Sequence, residues 1–132
     1  KSVVAINLLA ECIHNGYMAQ YVTSNAAPRN VYSTMLQKGF KKTEIKALFQ
    51  GSGTFHTRSK NALQIAIVDE AHRLREKSGM YQNEGEDQIK EIINASLFSV
   101  FFIDRNQRVT FKDAGTIDKI LKFSTEQKAL VY

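Results

Sequence analysis

Two adjacent carboxylates, Asp69 and Glu70, directly follow the apolar run 63–68 (LQIAIV). A buried strand that ends so abruptly sets two acids at one tip, where they can take different tasks. One can hold Mg²⁺, usually through water, while its neighbour polarises an attacking water. A strand end followed by a helix cap would use the same pair, with Asp69 as the capping residue.

Three further groupings have chemical use. Asp104 and Gln107 follow the apolar run 97–103 (LFSVFFI), where an amide can lie near a terminal phosphate and sense its loss. A polar turn, favoured by Asp and Asn, is the plainer reading. Thr23, Ser24 and Asn25 close the run 17–23 (YMAQYVT) with groups that can donate to a nucleic-acid phosphate. An ordinary strand-to-helix connection capped by Ser24 or Asn25 would look the same. Lys1 and Ser2 stand just before an apolar helical pattern, as the last residues of G-x-x-x-x-G-K-[ST] do. There the ammonium would meet the β- and γ-phosphates and the hydroxyl would be a Mg²⁺ ligand. An arbitrary cut site would leave the same dipeptide.

These groups need elements that carry them to one place. Val3, Val4, Leu8, Leu9, Cys12 and Ile13 recur at helical spacing, and Asn15-Gly16 supplies a stop. The run 17–23 reads as a strand. Pro28 opens a second helix carrying Val31, Met35 and Leu36, and Gly39 closes it. Residues 43–50 form a shorter helix with Ile45, Leu48 and Phe49 inward, and 51–61 is a loop. The runs 63–68 and 97–103 are strands, separated by a polar loop over 73–85 and a helix over 86–95 with Ile89, Ile92 and Ile93 on one face. A last helix spans 116–123, with Ile117, Ile120 and Leu121 inward, and 129–132 is too short to assign. Strands that are apolar nearly throughout are covered on both faces, as in a parallel α/β sheet. Ligands of such sheets gather beyond the carboxyl ends of the strands. All three polar tips (Thr23 to Asn25, Asp69 to His72, Asp104 to Gln107) fall there.

Composition sets the outer limits. At 132 residues the chain suits one domain, and an apolar share of 43% is enough for a core. The single Cys12 rules out an intrachain disulfide and fits a reducing compartment. Its apolar neighbours favour a packing role over a nucleophilic one. No apolar run reaches the roughly 18 to 20 residues of a membrane span, so a cytoplasmic location is expected. The net charge of +5 permits an anionic partner such as nucleic acid, although the basic residues are scattered. His14, His56 and His72 have no partners at zinc spacing, and no G-x-G-x-x-G supports dinucleotide binding.

Taken in order, KSVVAINLLAE, YVTSNAAPRNVY, IVDEAHRLREKSGMYQNEGEDQIKEIINAS and VFFIDRNQRVT resemble the Schlafen-type, DNA/RNA-helicase-like P-loop ATPase family. They are similar, more distantly, to the first motor domain of superfamily-one helicases. The resemblance runs from Lys1 to about Ile120, and the order of the motifs is more specific than any one of them. It implies a three-layer, RecA-like P-loop fold with a mainly parallel sheet, residues 1–132 forming one partial domain that lacks its first strand and glycine loop. It implies ATP and Mg²⁺ as cofactors, ATP rather than GTP on the family's word alone.

The resemblance also assigns roles. Lys1 and Ser2 would end the phosphate loop, with Ser2 and Asp69 toward Mg²⁺ and Glu70 as general base. Asp104 and Gln107 would sense phosphate, Thr23, Ser24 and Asn25 would contact a single strand, and His72 would couple the nucleotide site to its surroundings. The expected function is ATP binding and hydrolysis in a helicase-like protein acting on nucleic acid. A nucleotide-dependent regulatory switch without helicase activity would use the same site. A missing N-terminal strand and a second motor domain are expected in the full chain. Phosphate affinity comes largely from backbone N–H groups of the glycine loop, so a polypeptide starting at Lys1 is expected to bind nucleotide poorly.

Overall fold

The computed structural model describes residues 1–25, 42–104, 106, 107 and 113–132. The helix expected from Pro28 to Gly39 lies outside them. The elements are α1 (Ser2–His14), β1 (Ala19–Thr23), α2 (Lys42–Leu48), β2 (Phe49–Gly51), β3 (Leu63–Val68), α3 (Gln88–Ala95), β4 (Ser96–Phe101) and α4 (Ile117–Glu126). Short 3₁₀ turns follow β2 and β3, at Ser52–Thr54 and Ala71–Arg73.

Among the described residues the sheet has four strands in the order β2-β1-β3-β4, every pair parallel. Alternation along the central strands sends side chains to two separate cores. Ala19, Tyr21 and Ile67 pack with Ala5, Leu9 and Ile45, under α1 and α2. Val22, Ala66 and Val68 pack with Ile89, Ile92 and Ile93 under α3, where Ile120 and Phe123 of α4 complete the cover. Helices therefore clothe both faces, and the class is α/β.

The chain leaves β1 toward β2 on one side and leaves β3 toward β4 on the other. Connections from these neighbouring strands thus diverge, which opens a crevice at their carboxyl ends. Thr23 and Asp69 stand at its two lips.

Several local expectations shift. Phe49 and Gln50 do not continue α2, because Phe49 pairs with Tyr21 as the first residue of β2. The first strand begins at Ala19 rather than at residue 17, and β4 starts one residue before its apolar run and ends two residues before it. Val3 and Val4 of α1 face outward at 70% and 58% exposure, so Ala5 and Leu9 are its buried contacts. On α4 the buried residue is Ser124, while Leu121 is exposed. Among the described residues no helix is long and apolar enough to cross a membrane.

Candidate functional site at the carboxyl ends of the strands

Asp69 leaves β3 at its tip and is almost wholly buried. Its backbone N–H donates to the Val22 carbonyl (2.9 Å), which extends the β1–β3 ladder by one residue. The Tyr21 hydroxyl donates to Oδ2, and Oδ1 is buried without a hydrogen bond among the described residues. Tyr21 was not among the residues expected from sequence. The available signal is a tyrosine inside an apolar strand, whose hydroxyl needs a partner when buried.

Glu70 has left-handed backbone angles, φ 50° and ψ 46°, a region that residues with a Cβ seldom adopt. Its side chain caps nothing. Glu70 Oε2 is buried without a hydrogen bond among the described residues, 3.7 Å from Arg73 Nη1. The plainer reading of the pair, a capping carboxylate, therefore finds no hydrogen bond here. The turn is anchored instead by backbone, with Ala71 N–H donating to the Phe102 carbonyl at 2.9 Å and Phe102 N–H to the Val68 carbonyl at 2.8 Å. His72 is buried, and its Nδ1 makes no hydrogen bond among the described residues.

Lys1 comes to the same end of the sheet from α1. Its ammonium donates to the Ile103 carbonyl (3.1 Å) and pairs with Asp104 Oδ2 at 2.9 Å. Asp104 Oδ1 accepts from the Asn106 N–H at 3.1 Å, forming a small turn. The hydrogen bond from Lys1, and then that from Asn106, holds the Asp104 carboxyl below the usual range. Ser2 opens α1, whose first turn has no side-chain cap and no acid. Uncapped N–H groups at a helix start are suited to anions.

Gln107 is exposed and lines a pocket of about 320 Å³ together with His72, Asp104, Thr116 and Asp118. Gly115 also lines it. A Cβ there would sit 1.8 Å from the Ala71 carbonyl oxygen, so only glycine lets this segment lie on the Asp-Glu-Ala-His turn. That role depends on a tertiary approach and has no mark in the sequence.

Thr23, Ser24 and Asn25 end β1 beside the Asp69 turn. Thr23 Oγ1 accepts from the Asn25 N–H at 3.2 Å. The Ser24 hydroxyl donates to the Arg73 carbonyl at 3.0 Å, tying the β1 tip to the chain just after His72. The structure thus brings His72, Asp104 and Gln107 to one pocket, pairs Lys1 with Asp104, and ties the β1 tip to Arg73 through Ser24. Cys12 lies apart on α1, half-buried, its thiol pushed up by burial and then by Glu11; a raised thiol is a poor nucleophile.

A family model described as Schlafen group 3, DNA/RNA helicase domain, matches residues 1–131. Neither a curated protein nor a solved structure gave a match.

Proposed function

Because the chain belongs to the Schlafen group 3 DNA/RNA helicase domain family, we propose that it is the nucleotide-handling domain of a helicase-like P-loop ATPase acting on nucleic acid. The observation that carries this reading is the Lys1–Asp104 pair, 2.9 Å apart, at the same sheet end as Asp69 and Glu70. The start of α1 and the segment after β4 are far apart in sequence, and a P-loop site needs the start of that helix at the carboxyl end of the sheet.

The residues suit the cofactors. Asp69 keeps one oxygen buried and, among the described residues, without a hydrogen bond while Tyr21 holds the other. Mg²⁺ commonly takes one or two carboxylates and fills its remaining positions with phosphate and water oxygens. When bound, it neutralises charge building on the phosphoryl group. In this reading Ser2, the first residue of α1, would share it.

Lys1 exchanges Asp104 for phosphate, and Asp104 is then free to report that exchange to Gln107 and the pocket beside His72. Glu70, aimed by its left-handed turn, orients and polarises the attacking water. Ser24 and Asn25, half-buried at the tip of β1, contact the nucleic-acid strand, while Thr23, expected to do so, is buried and braces the tip through the Asn25 N–H. The Ser24–Arg73 bond links that contact to the acidic turn. Among the described residues β4 has no partner on its outer side, which supports a further strand beside it, and a second motor domain completes the unit.

The test is Glu70→Gln in the full-length protein. Nucleic-acid-stimulated ATP hydrolysis should fall about 10²- to 10⁴-fold, the usual contribution of a general base, with nucleotide binding retained. Hydrolysis at the parent rate would remove Glu70 from this role.

A further inference from the structure

We propose that the loop from Arg75 to Glu84 is a contact site for single-stranded nucleic acid, with Tyr81 as a platform for one base and Arg75 and Lys77 on the phosphates. The inference rests on the nucleic-acid reading above and adds residues that reading does not use.

Met80 and Tyr81 are adjacent and stand 90% and 83% exposed. Large apolar side chains gain nothing from such a position in an isolated domain. Yet the loop that presents them is firmly built. Ser78 and Glu84 exchange both backbone hydrogen bonds, at 2.8 and 3.1 Å. Between them the chain turns through Gly79 and Gln82 with φ of 83° and 53°, closed by Gln82 N–H on the Gly79 carbonyl at 3.2 Å.

The buried Gln88 at the start of α3 fixes this turn to the domain. Its side-chain carbonyl accepts from the Arg75 N–H at 3.0 Å, and its amide donates to Ser78 Oγ at 3.1 Å. Its backbone N–H donates to the Arg75 carbonyl at 3.1 Å. Tyr81 is therefore held out at the apex of a braced turn, and binding need not order the backbone first.

Charge selects the occupant. The acids around the loop are already engaged: Glu76 with Lys119 at 2.7 Å, Glu84 with His56 at 3.5 Å, and Glu86 with Lys90. Arg75 and Lys77 are exposed and make no ion pair among the described residues. One aromatic ring beside unpaired cations is the pairing that single strands use, since every base has a face to stack and every linkage a charge. Position agrees as well, because the loop begins just after Arg73, whose carbonyl is bonded to Ser24.

The experiment is fluorescence anisotropy of a fluorescein-labelled oligothymidylate with the full-length protein. Tyr81→Ala should weaken binding about tenfold, while Tyr81→Phe should bind like the parent. Arg75→Gln and Lys77→Gln should each flatten the salt dependence by about 0.7 in the slope of log affinity against log salt. Thermal midpoints should not move, because all three side chains are exposed. Undiminished binding by Tyr81→Ala overturns the inference, leaves the hydrolase reading standing, and turns attention to a protein partner for this loop. No binding by the parent protein at low salt overturns the inference and the nucleic-acid part of that reading together. Hydrolysis by Glu70→Gln tests the nucleotide part separately.

Discussion

The Tyr21 hydroxyl reaches across from β1 to the buried carboxylate of Asp69. Without it, neither oxygen of Asp69 would have a hydrogen bond from a side chain among the described residues. Tyr21→Phe should therefore destabilise the fold by about 1–3 kcal/mol, the cost of leaving a buried polar group unsatisfied. Urea unfolding measures this, and a variant as stable as the parent would mean that water already serves the carboxylate. Gly115 presents the opposite problem, excess of atoms. Its added Cβ would meet the backbone oxygen of Ala71, which cannot rotate away. Gly115→Ala should cost about 1–3 kcal/mol as an overpacking change. It should also lower hydrolysis at temperatures where the variant is still folded, because Glu70 and His72 flank the displaced residue. Equal activity of folded variant and parent would show that the acidic turn tolerates the shift. Asp69 and Glu70 were legible in the sequence because an apolar run stops at them. Tyr21 and Gly115 were not, because one depends on pairing register and the other on a close approach between distant segments.

Within α3, one carboxyl links stability to pH. Glu91 Oε1 accepts from the Glu86 N–H at 2.7 Å, while Oε2 is buried without a hydrogen bond among the described residues. Burial pushes this carboxyl above its ordinary value. A carboxyl raised in the fold favours the folded state when protonated. Its contribution is fully present below the unfolded value, about 4.3, and is lost as pH rises through the folded one. Glu91→Gln keeps the acceptor and removes the titration. Its thermal midpoint should therefore vary less than the parent's as pH rises from that value, and identical pH profiles would sink the assignment. The helix itself was readable, since Ile89, Ile92 and Ile93 share a face, but its start was not: it begins at Gln88 rather than at 86, capped by Asp87, which accepts from the Ile89 N–H. By contrast, β2 was hidden. Phe49 fits the helical spacing of Ile45, and only its pairing with Tyr21 converts it to strand.

At the scale of the molecule, the apolar runs foretold a parallel sheet, and the clustering of polar tips followed from strand direction alone. Strand order did not, because alternation along a strand says nothing of which neighbour it meets. The order found leaves β4 at an edge among the described strands, with Leu97 and Phe98 exposed at 65% and 52%. A long, apolar edge invites pairing with another strand. In a parallel ladder, N–H groups of successive residues point to opposite sides, so β3 protects only alternate amides of β4. If a further strand lies beside β4 in the full-length protein, every amide from Ser96 to Phe101 has a partner. Hydrogen exchange should then be slow along the whole strand. Amides exchanging as fast as those of a loop at every second residue would show the edge open and remove the added strand from the proposed fold.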